Sequence, residues 1–234
     1  MKNFKLFKFN ILAPIIIVFF SVLLFGCEKE NAIQTTKPLL NNSDINKDST
    51  FKLFLSDIQE ISATVSNANS EKLLTQDEFE LIYNKAINEN DVNSKNEISK
   101  IMGFSDYSLF WKTRDRILNN IVLLNKKYNF KKLSTTEMEN LISNGLANKN
   151  SSNINSNGNG KTTFFMNPGC YEAFRNCEDQ ATATYAMEQV GCVGFGALGW
   201  TVIGGALFVA CEAAANYHLY VNDRTCRTNF RYCR

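Results

Sequence analysis

Apolar residues in the middle of the chain recur at the spacing of an α-helix. From residue 51 to 65 most of them recur three or four positions apart, which places them on one face of a helix. The apolar positions on this face are Phe51, Phe54, Leu55, Ile58, Ile61 and Val65. Residues 109–124 repeat the pattern with Leu109, Phe110, Ile117, Ile121 and Leu124. The periodicity predicts amphipathic helices around one core, and therefore a small all-α domain over residues 50–147.

Capping motifs predict where several of these helices begin and end. A hydroxyl residue followed three positions later by glutamate can satisfy two free backbone N–H groups at a helix start. Three such motifs, Thr75-x-x-Glu78, Ser94-x-x-Glu97 and Ser134-x-x-Glu137, predict helix starts near 76, 95 and 135. Gly103 is predicted to end the short third helix, and Ser105 to cap a longer one after it.

Two polar segments without periodicity divide the chain. Residues 27–49 are rich in Asn, Lys and Thr, and residues 148–160 read NKNSSNINSNGNG. Such compositions cannot bury a core, so we expect a flexible tether and a linker. This predicts two packed units, 50–147 and 161–234.

The N-terminal 26 residues have the organisation of a secretory signal peptide. Lys2, Lys5 and Lys8 precede an apolar run from Ile11 to Phe25, and no acidic residue occurs among them. An uncleaved membrane anchor is the alternative, but the run is shorter than the ~20 residues that a spanning helix needs. We therefore expect residues 1–26 to be absent from the mature chain.

The end of this run, Leu24-Phe25-Gly26-Cys27, resembles the lipobox of bacterial lipoprotein precursors. The resemblance implies cleavage before Cys27 and acylation of that cysteine by palmitate or a similar chain. Glu28 and Glu30 look like the export tags of surface lipoproteins in Bacteroidota, and Asp48-Ser49-Thr50 is similar to their O-glycosylation tripeptide. The resemblance thus implies an outer-membrane lipoprotein that faces the periplasm or the cell surface.

Composition argues against several classes of function. The 234 residues carry a formal charge of +2 and a single histidine. Loss of the leader removes three lysines and no acids, which leaves 22 bases against 23 acids, so no nucleic-acid partner is expected. His218 has no second histidine or nucleophile at a useful spacing and is predicted to be structural. We expect no enzymatic activity, no cofactor and no metal.

The remaining cysteines form a palindrome. They are Cys170, Cys177, Cys192, Cys211, Cys226 and Cys233, separated by 7, 15, 19, 15 and 7 positions. Of the 15 possible pairings, only the nested one gives every pair the same sum of residue numbers. The nested pairs are Cys170–Cys233, Cys177–Cys226 and Cys192–Cys211. Zinc is the competing use of clustered cysteines, but these spacings do not match zinc knuckles.

Residues that pair between two antiparallel elements in fixed register have a constant sum of residue numbers. At 100° per residue the three cysteines of each arm share one helix face, so the pattern predicts an antiparallel helical hairpin held by three disulfides. Disulfide formation needs a close approach of the helices, and small residues such as Ala181 and Ala215 lie on the cysteine faces. The same register places Tyr185 opposite His218.

Between Cys192 and Cys211 lie 18 residues without a charge, VGFGALGWTVIGGALFVA. A single membrane-spanning helix from Val190 to Cys211 is one interpretation, but it would hold the two cysteines about 28 Å apart, too far for a disulfide. The hairpin interpretation instead predicts an apolar tip that acts as an interface. The tip residues are Trp200, Val202, Ile203, Leu207 and Phe208. Such a tip would dock on the helical domain, on a membrane or on another protein.

These features predict a lipid-anchored cell-envelope lipoprotein that acts as a non-enzymatic interaction or structural module. The alternative is a membrane-active, bacteriocin-like toxin. In that case the hairpin tip inserts into a target bilayer after release at the linker.

Overall fold

The chain folds into α-helices, as its periodicity predicts. The computed structural model describes residues 42–68, 74–153, 168–196 and 202–233. In order, the helices of these residues are α1 (Asn42–Lys47), α2 (Ser49–Ser66), α3 (Gln76–Asn88), α4 (Val92–Ile101), α5 (Tyr107–Tyr128), α6 (Thr135–Asn153), α7 (Pro168–Gly196) and α8 (Val202–Tyr232). A short 3-10 helix, Phe130–Lys132, connects α5 to α6. The all-α class and the C-terminal helical hairpin, formed by α7 and α8, are confirmed.

Two of the three predicted capping boxes start helices. The Thr75 hydroxyl accepts a hydrogen bond from the N–H of Glu78, whose carboxylate accepts from Thr75 in return, and α3 begins at Gln76. Ser134 and Glu137 exchange the same pair of bonds, and α6 begins at Thr135. The predicted starts at 76 and 135 are therefore confirmed.

The N-caps predicted at Ser94 and Ser105 are wrong, because a nearby aspartate caps each of these helices. Asp91 caps α4 and accepts from the N–H of Ser94 at 2.8 Å, so this helix begins three residues before the predicted position. Asp106 caps α5 in place of Ser105. Both aspartates have the extended backbone that an N-cap requires, and a carboxylate also complements the positive end of the helix dipole.

Gly103 ends α4, as predicted. Its φ of +84° lies in the left-handed region that favours glycine. A Cβ at this position would lie 2.7 Å from the Cβ of Ala68 and from the carbonyl oxygen of Thr64. Gly103 therefore provides both the turn after α4 and its close approach to the end of α2.

Helix α5 runs antiparallel to α2. Lys127 and Asp48 form an ion pair of 2.6 Å at one end, and Arg116 and Asp57 form one of 2.9 Å further along. The start of α2 is therefore level with the end of α5.

Helix α7 also runs antiparallel to α2. The hydroxyls of Ser62 and Thr182 are 2.6 Å apart, and Ser66 donates to Glu178 one turn further along. These contacts attach the hairpin directly to the helical layer that precedes it.

The helices of both predicted units belong to one compact unit, Asn41–Arg234. Phe79 of α3 packs against Tyr217 and Tyr220 of α8, with ring centroids 5.8 and 6.4 Å apart. Arg227 of α8 donates to two carbonyl oxygens at the end of α2. Each part has an apolar face that the other covers, so the core is continuous across the predicted linker.

The polar segments are shorter than their composition suggests. Helix α1 lies within the predicted tether, with Ile45 completely buried, and Asp48 caps α2. Helix α6 continues to Asn153, six residues into the predicted linker. A few buried contacts, or the continuation of an existing helix, order residues whose composition alone favours a loop. The predicted signal peptide, 1–26, and the predicted lipidation site Cys27 lie outside the described residues.

Candidate functional site

The three predicted disulfides are present, in the nested pairing. Their Cα–Cα distances are 5.8 Å for Cys170–Cys233, 5.7 Å for Cys177–Cys226 and 5.4 Å for Cys192–Cys211. These distances lie within the range of about 4.4–6.8 Å that a disulfide requires, and the buried alanines Ala181 and Ala215 belong to this hairpin. The bridges fix α7 against α8 along nearly their whole length.

The apolar segment forms the closed end of this hairpin. The Cα atoms of Cys192 and Cys211 are 5.4 Å apart, whereas a continuous helix from Val190 to Cys211 would hold them about 28 Å apart. No helix among the described residues is both long and apolar enough to cross a membrane. The hairpin interpretation of this segment is confirmed.

The structure describes the predicted tip in part. Trp200 lies outside the described residues, and Val202 and Ile203 belong to α8, although the placement of their side chains is not described. Leu207 is 47% exposed and Phe208 is half-buried. The described part of the tip therefore exposes one large apolar side chain.

His218 pairs with Glu188, and the predicted neighbour Tyr185 has a different partner. The Nδ1 atom of His218 lies 2.7 Å from Oε1 of Glu188. Tyr185 instead donates to the side-chain oxygen of Asn216 at 3.1 Å, inside the core. Tyr185 is on the face of α7 that turns toward the helical layer, so the hairpin register alone does not place its side chain. Burial raises the pKa of Glu188, although His218 opposes the shift.

A buried ion pair joins α5 to α8, and the sequence analysis did not identify it. Arg114 donates to both carboxylate oxygens of Glu212, and the Nε–Oε1 distance is 3.0 Å. The Glu212 side chain is 0% exposed and that of Arg114 is 12% exposed. Burial raises the pKa of the Glu212 carboxyl, and the Arg114 charge opposes the shift.

A tyrosine and an amide complete this polar cluster. Tyr83 of α3 accepts from Arg114 at 3.3 Å, and Asn216 contacts the same hydroxyl at 3.4 Å. Burial and the neighbouring Glu212 raise the pKa of Tyr83. Because its charged groups satisfy one another away from solvent, the cluster acts as a polar connection between α3, α5 and α8, and Tyr185 extends it to α7 through Asn216. The single sequence signal for it is Glu212, an acid within an otherwise apolar helix face.

Two cavities lie beside α7. A largely apolar, open cavity of about 340 Å³ lies between α5, α6 and the last turns of α7, and its walls include Phe130, Met138, Met187 and Val190. A polar cavity of about 480 Å³ lies between α2 and α7, where Glu178 and Asp179 face Gln59 and Asn67. Burial raises the pKa of Glu178. The Ser66 hydroxyl in the wall of the polar cavity donates to Glu178, whereas no acidic residue or histidine of the described chain lines the apolar cavity.

Among the described residues, no group of three or more histidine, cysteine or acidic side chains is placed to hold a metal ion. Asp48, in the tripeptide similar to an O-glycosylation signal, caps α2 and also accepts from Lys127 and Tyr128. These contacts hold the pKa of Asp48 below its ordinary value, chiefly through Lys127. The Asp48 side chain therefore has a structural role. The predicted export-tag residues Glu28 and Glu30 lie outside the described residues.

Comparisons with known proteins identify no relative. No family model matches the chain, and no curated protein or solved structure matches it. Function is therefore argued from the chain itself.

Proposed function

We propose that this chain is an exported, lipid-anchored protein of the cell envelope that acts as a non-enzymatic interaction or structural module. The observation that carries the proposal is the set of three nested disulfides in one small helical unit. Disulfides of this kind persist in oxidising compartments and are rare in the cytosol. The leader that ends at Gly26-Cys27 provides a route to such a compartment.

The polar stretch between Cys27 and Asn42 supports a tethered arrangement. Fifteen residue steps separate the predicted lipid-bearing cysteine from the first helix, and they span at most about 50 Å when fully extended. A compact unit on such a tether would stay within reach of its own membrane.

The chemistry of the interior supports a non-enzymatic role. Arg114 pairs with Glu212, and Arg227 pairs with Asp223 and with carbonyl oxygens of α2. These pairs connect helices and hold their charges away from solvent. Interiors of this kind support specificity of helix packing more directly than they support catalysis.

The packing of the hairpin favours the anchored module over the toxin alternative. Phe79 and Arg114 hold α8, and Ser62 and Ser66 hold α7. A cut in the linker would leave these contacts in place. Release of a membrane-inserting hairpin would therefore also need the core to open.

Acyl labelling tests the proposal. In a lipoprotein-processing bacterium grown with a labelled fatty acid, the wild-type chain should carry label, and Cys27→Ser should lose it and accumulate as precursor. The matched control is Cys170→Ser/Cys233→Ser, which removes two other cysteines and should keep the label. Label that persists in Cys27→Ser, or is absent from the wild type, would refute the lipid anchor.

A further inference from the structure

The apolar cavity beside α7 has the size and chemistry of a binding site for a small ligand. It lies between α5, α6 and the last turns of α7. We propose that this cavity binds the unbranched alkyl chain of a single-chain amphiphile, such as a free fatty acid or a lysophospholipid. This binding goes beyond the proposed function and does not depend on the lipid anchor at Cys27.

The volume of the cavity sets the size of the ligand. At about 340 Å³ it lies at the lower end of the range of small-molecule pockets, which is roughly 300–1,000 Å³. A dry protein cavity of about 150 Å³ accepts benzene, a ring of six carbon atoms. In proportion, the apolar cavity holds on the order of a dozen carbon atoms. A ligand part of this size is an alkyl chain of medium length.

The walls of the cavity change from apolar inside to polar at the mouth. Ile121 and Phe130 are buried, Asn125 is half-buried, and Ser134 and Thr135 are exposed. All of the residues that line the cavity belong to the described part of the chain, and none of them is charged. An alkyl chain can enter such a space without hydrogen-bond partners, whereas a charged group cannot. The polarity therefore matches an amphiphile whose chain is inserted and whose head group stays at the mouth.

Two methionines in the walls favour a flexible ligand. Met138 of α6 is buried and Met187 of α7 is half-buried, and both line the cavity. Methionine is unbranched and has three rotatable side-chain bonds, so it adapts to irregular shapes and to more than one conformation of a ligand. A cavity with such walls suits an alkyl chain, whose conformation varies, better than a rigid ring system that needs one fixed shape.

Gly191 provides part of the space in the cavity. It lies inside α7, where glycine is unfavourable relative to alanine, and it lines the cavity. Its backbone does not require glycine, since the positive φ among the described glycines belongs to Gly103. Packing does not require it either, because a Cβ at Gly191 would meet nothing within 4 Å, whereas one at Gly103 or Gly145 would overlap a neighbouring residue. Glycine at such a position is expected where the backbone approaches a ligand closely.

Methyl NMR of the methionines tests the binding at the site itself. The chain from Glu28 onward, which keeps the whole compact unit, is labelled with ¹³C at its methionine methyl groups. It is then titrated with dodecanoate below the critical micelle concentration. The signals of Met138 and Met187 should shift and reach saturation. The signal of Met102 should not, because this residue is completely buried at the end of α4 and does not line the cavity. Substitution of each methionine by leucine assigns the signals.

A series of chain lengths tests the size of the site. Each methylene that enters the cavity should tighten binding about fourfold. From octanoate to dodecanoate the dissociation constant should therefore decrease by about two orders of magnitude. From dodecanoate to tetradecanoate it should change by less than about twofold, because the additional methylenes lie outside a filled cavity. A gain that continues at the same rate up to tetradecanoate would indicate adsorption on the surface and would overturn the proposal.

A leucine at position 191 tests whether the ligand occupies the cavity. Gly191→Leu should weaken dodecanoate binding by at least about tenfold, because the new side chain takes the space of several methylenes. It should not lower the melting temperature, since nothing lies within 4 Å of the new Cβ. The matched control is Gly205→Leu in α8, where a Cβ also meets nothing within 4 Å but the residue does not line the cavity. That control should bind dodecanoate as wild type does.

A second probe distinguishes the sources of the alkyl chain. Lauroyl lysophosphatidylcholine carries a chain of the same length as dodecanoate on a phospholipid head group. Saturable shifts of Met138 and Met187 with both probes would show that the chain alone is recognised, and shifts with one probe would add a requirement for its head group. No saturable shift with either probe, or equal affinities of wild type and folded Gly191→Leu, would overturn the proposal. The Cys27 labelling experiment has a separate readout, so failure of the anchor and failure of the cavity site remain distinguishable.

Discussion

At the scale of single residues, the Arg114–Glu212 pair links the two parts of the chain most directly. The two residues are 98 positions apart in sequence, and they connect α5 to α8 inside the core, next to Tyr83. A buried pair contributes little net stability relative to apolar residues of similar size, but removal of one partner leaves an uncompensated charge. Substitution of either residue alone should therefore be far more damaging than substitution of both.

This gives a test by double-mutant cycle. Arg114→Leu should lower the free energy of unfolding by about 3–5 kcal/mol at pH 8, because Glu212 remains buried without its opposite charge. Arg114→Leu/Glu212→Leu should recover most of that loss. Urea unfolding of the mature chain measures both values. A double variant as unstable as the single one would mean that the pair stabilises the fold directly.

The pH dependence of the stability of Arg114→Leu should show that the buried charge of Glu212 causes its loss of stability. Burial raises the native-state pKa of Glu212 above its ordinary value of 4.5, and loss of Arg114 removes the charge that opposes this shift. The native state then binds more protons than the unfolded chain. Its stability is greatest below pH 4.5 and decreases as the pH rises through the native-state pKa. The deficit of Arg114→Leu relative to the double variant should therefore be smaller at pH 5 than at pH 8.

At the scale of helices, two glycines in α6 and α7 have opposite surroundings. A Cβ built on Gly191 meets nothing within 4 Å, whereas one on Gly145 would lie 2.4 Å from Cδ1 of Leu55 and 3.0 Å from the Phe51 ring. Glycine inside a helix costs roughly 1 kcal/mol relative to alanine. Alanine at Gly191 would avoid this cost, because there is space for its Cβ. At Gly145 the absence of a side chain lets α6 approach α2 closely.

Alanine at each position makes a matched comparison. Gly191→Ala should raise the melting temperature by about 2–4 °C, which corresponds to about 1 kcal/mol for a chain of this size. Gly145→Ala should leave it unchanged or lower it, because Leu55 and Phe51 must move. Differential scanning calorimetry under oxidising conditions measures both. An equal increase for the two variants would show that α6 and α2 do not pack closely at Gly145.

At the scale of the whole molecule, the hairpin and the helical layer share one core. Phe79 contacts α8, and Arg227 contacts the end of α2. Each of these contacts joins a residue that precedes residues 154–167 to one that follows them. We therefore expect cleavage of that connection to leave a single particle.

A protease site inserted between residues 154 and 160 tests this. After cleavage the two fragments should co-elute in native gel filtration at the position of the intact chain, and they should separate in denaturant. Phe79→Ala combined with Arg227→Ala should weaken their association. Fragments that separate without denaturant would favour independent units and would restore the alternative of a released hairpin.

Local patterns alone predicted the helical class and the disulfide pairing. Amphipathic spacing determines which faces are apolar, and the palindrome of cysteines leaves one pairing with a constant register. Helix caps were predicted less well. Asp91 and Asp106 cap their helices in place of nearby serines, and spacing along the sequence does not show which of two neighbouring capping residues is used. The partner of His218 was also missed, since a register assigns a level along a helix and does not assign a direction around it.

The sequence by itself determined that this chain is a helical protein with a nested disulfide hairpin, because both properties depend on regular spacing along the chain. Only the tertiary structure decided that the hairpin and the preceding helices form one unit, and which helix faces cover one another within it. These arrangements depend on contacts between residues about 100 positions apart, such as Arg114 with Glu212. Packing selects such contacts from many that periodicity allows, and the selection depends on the shape of the complete core.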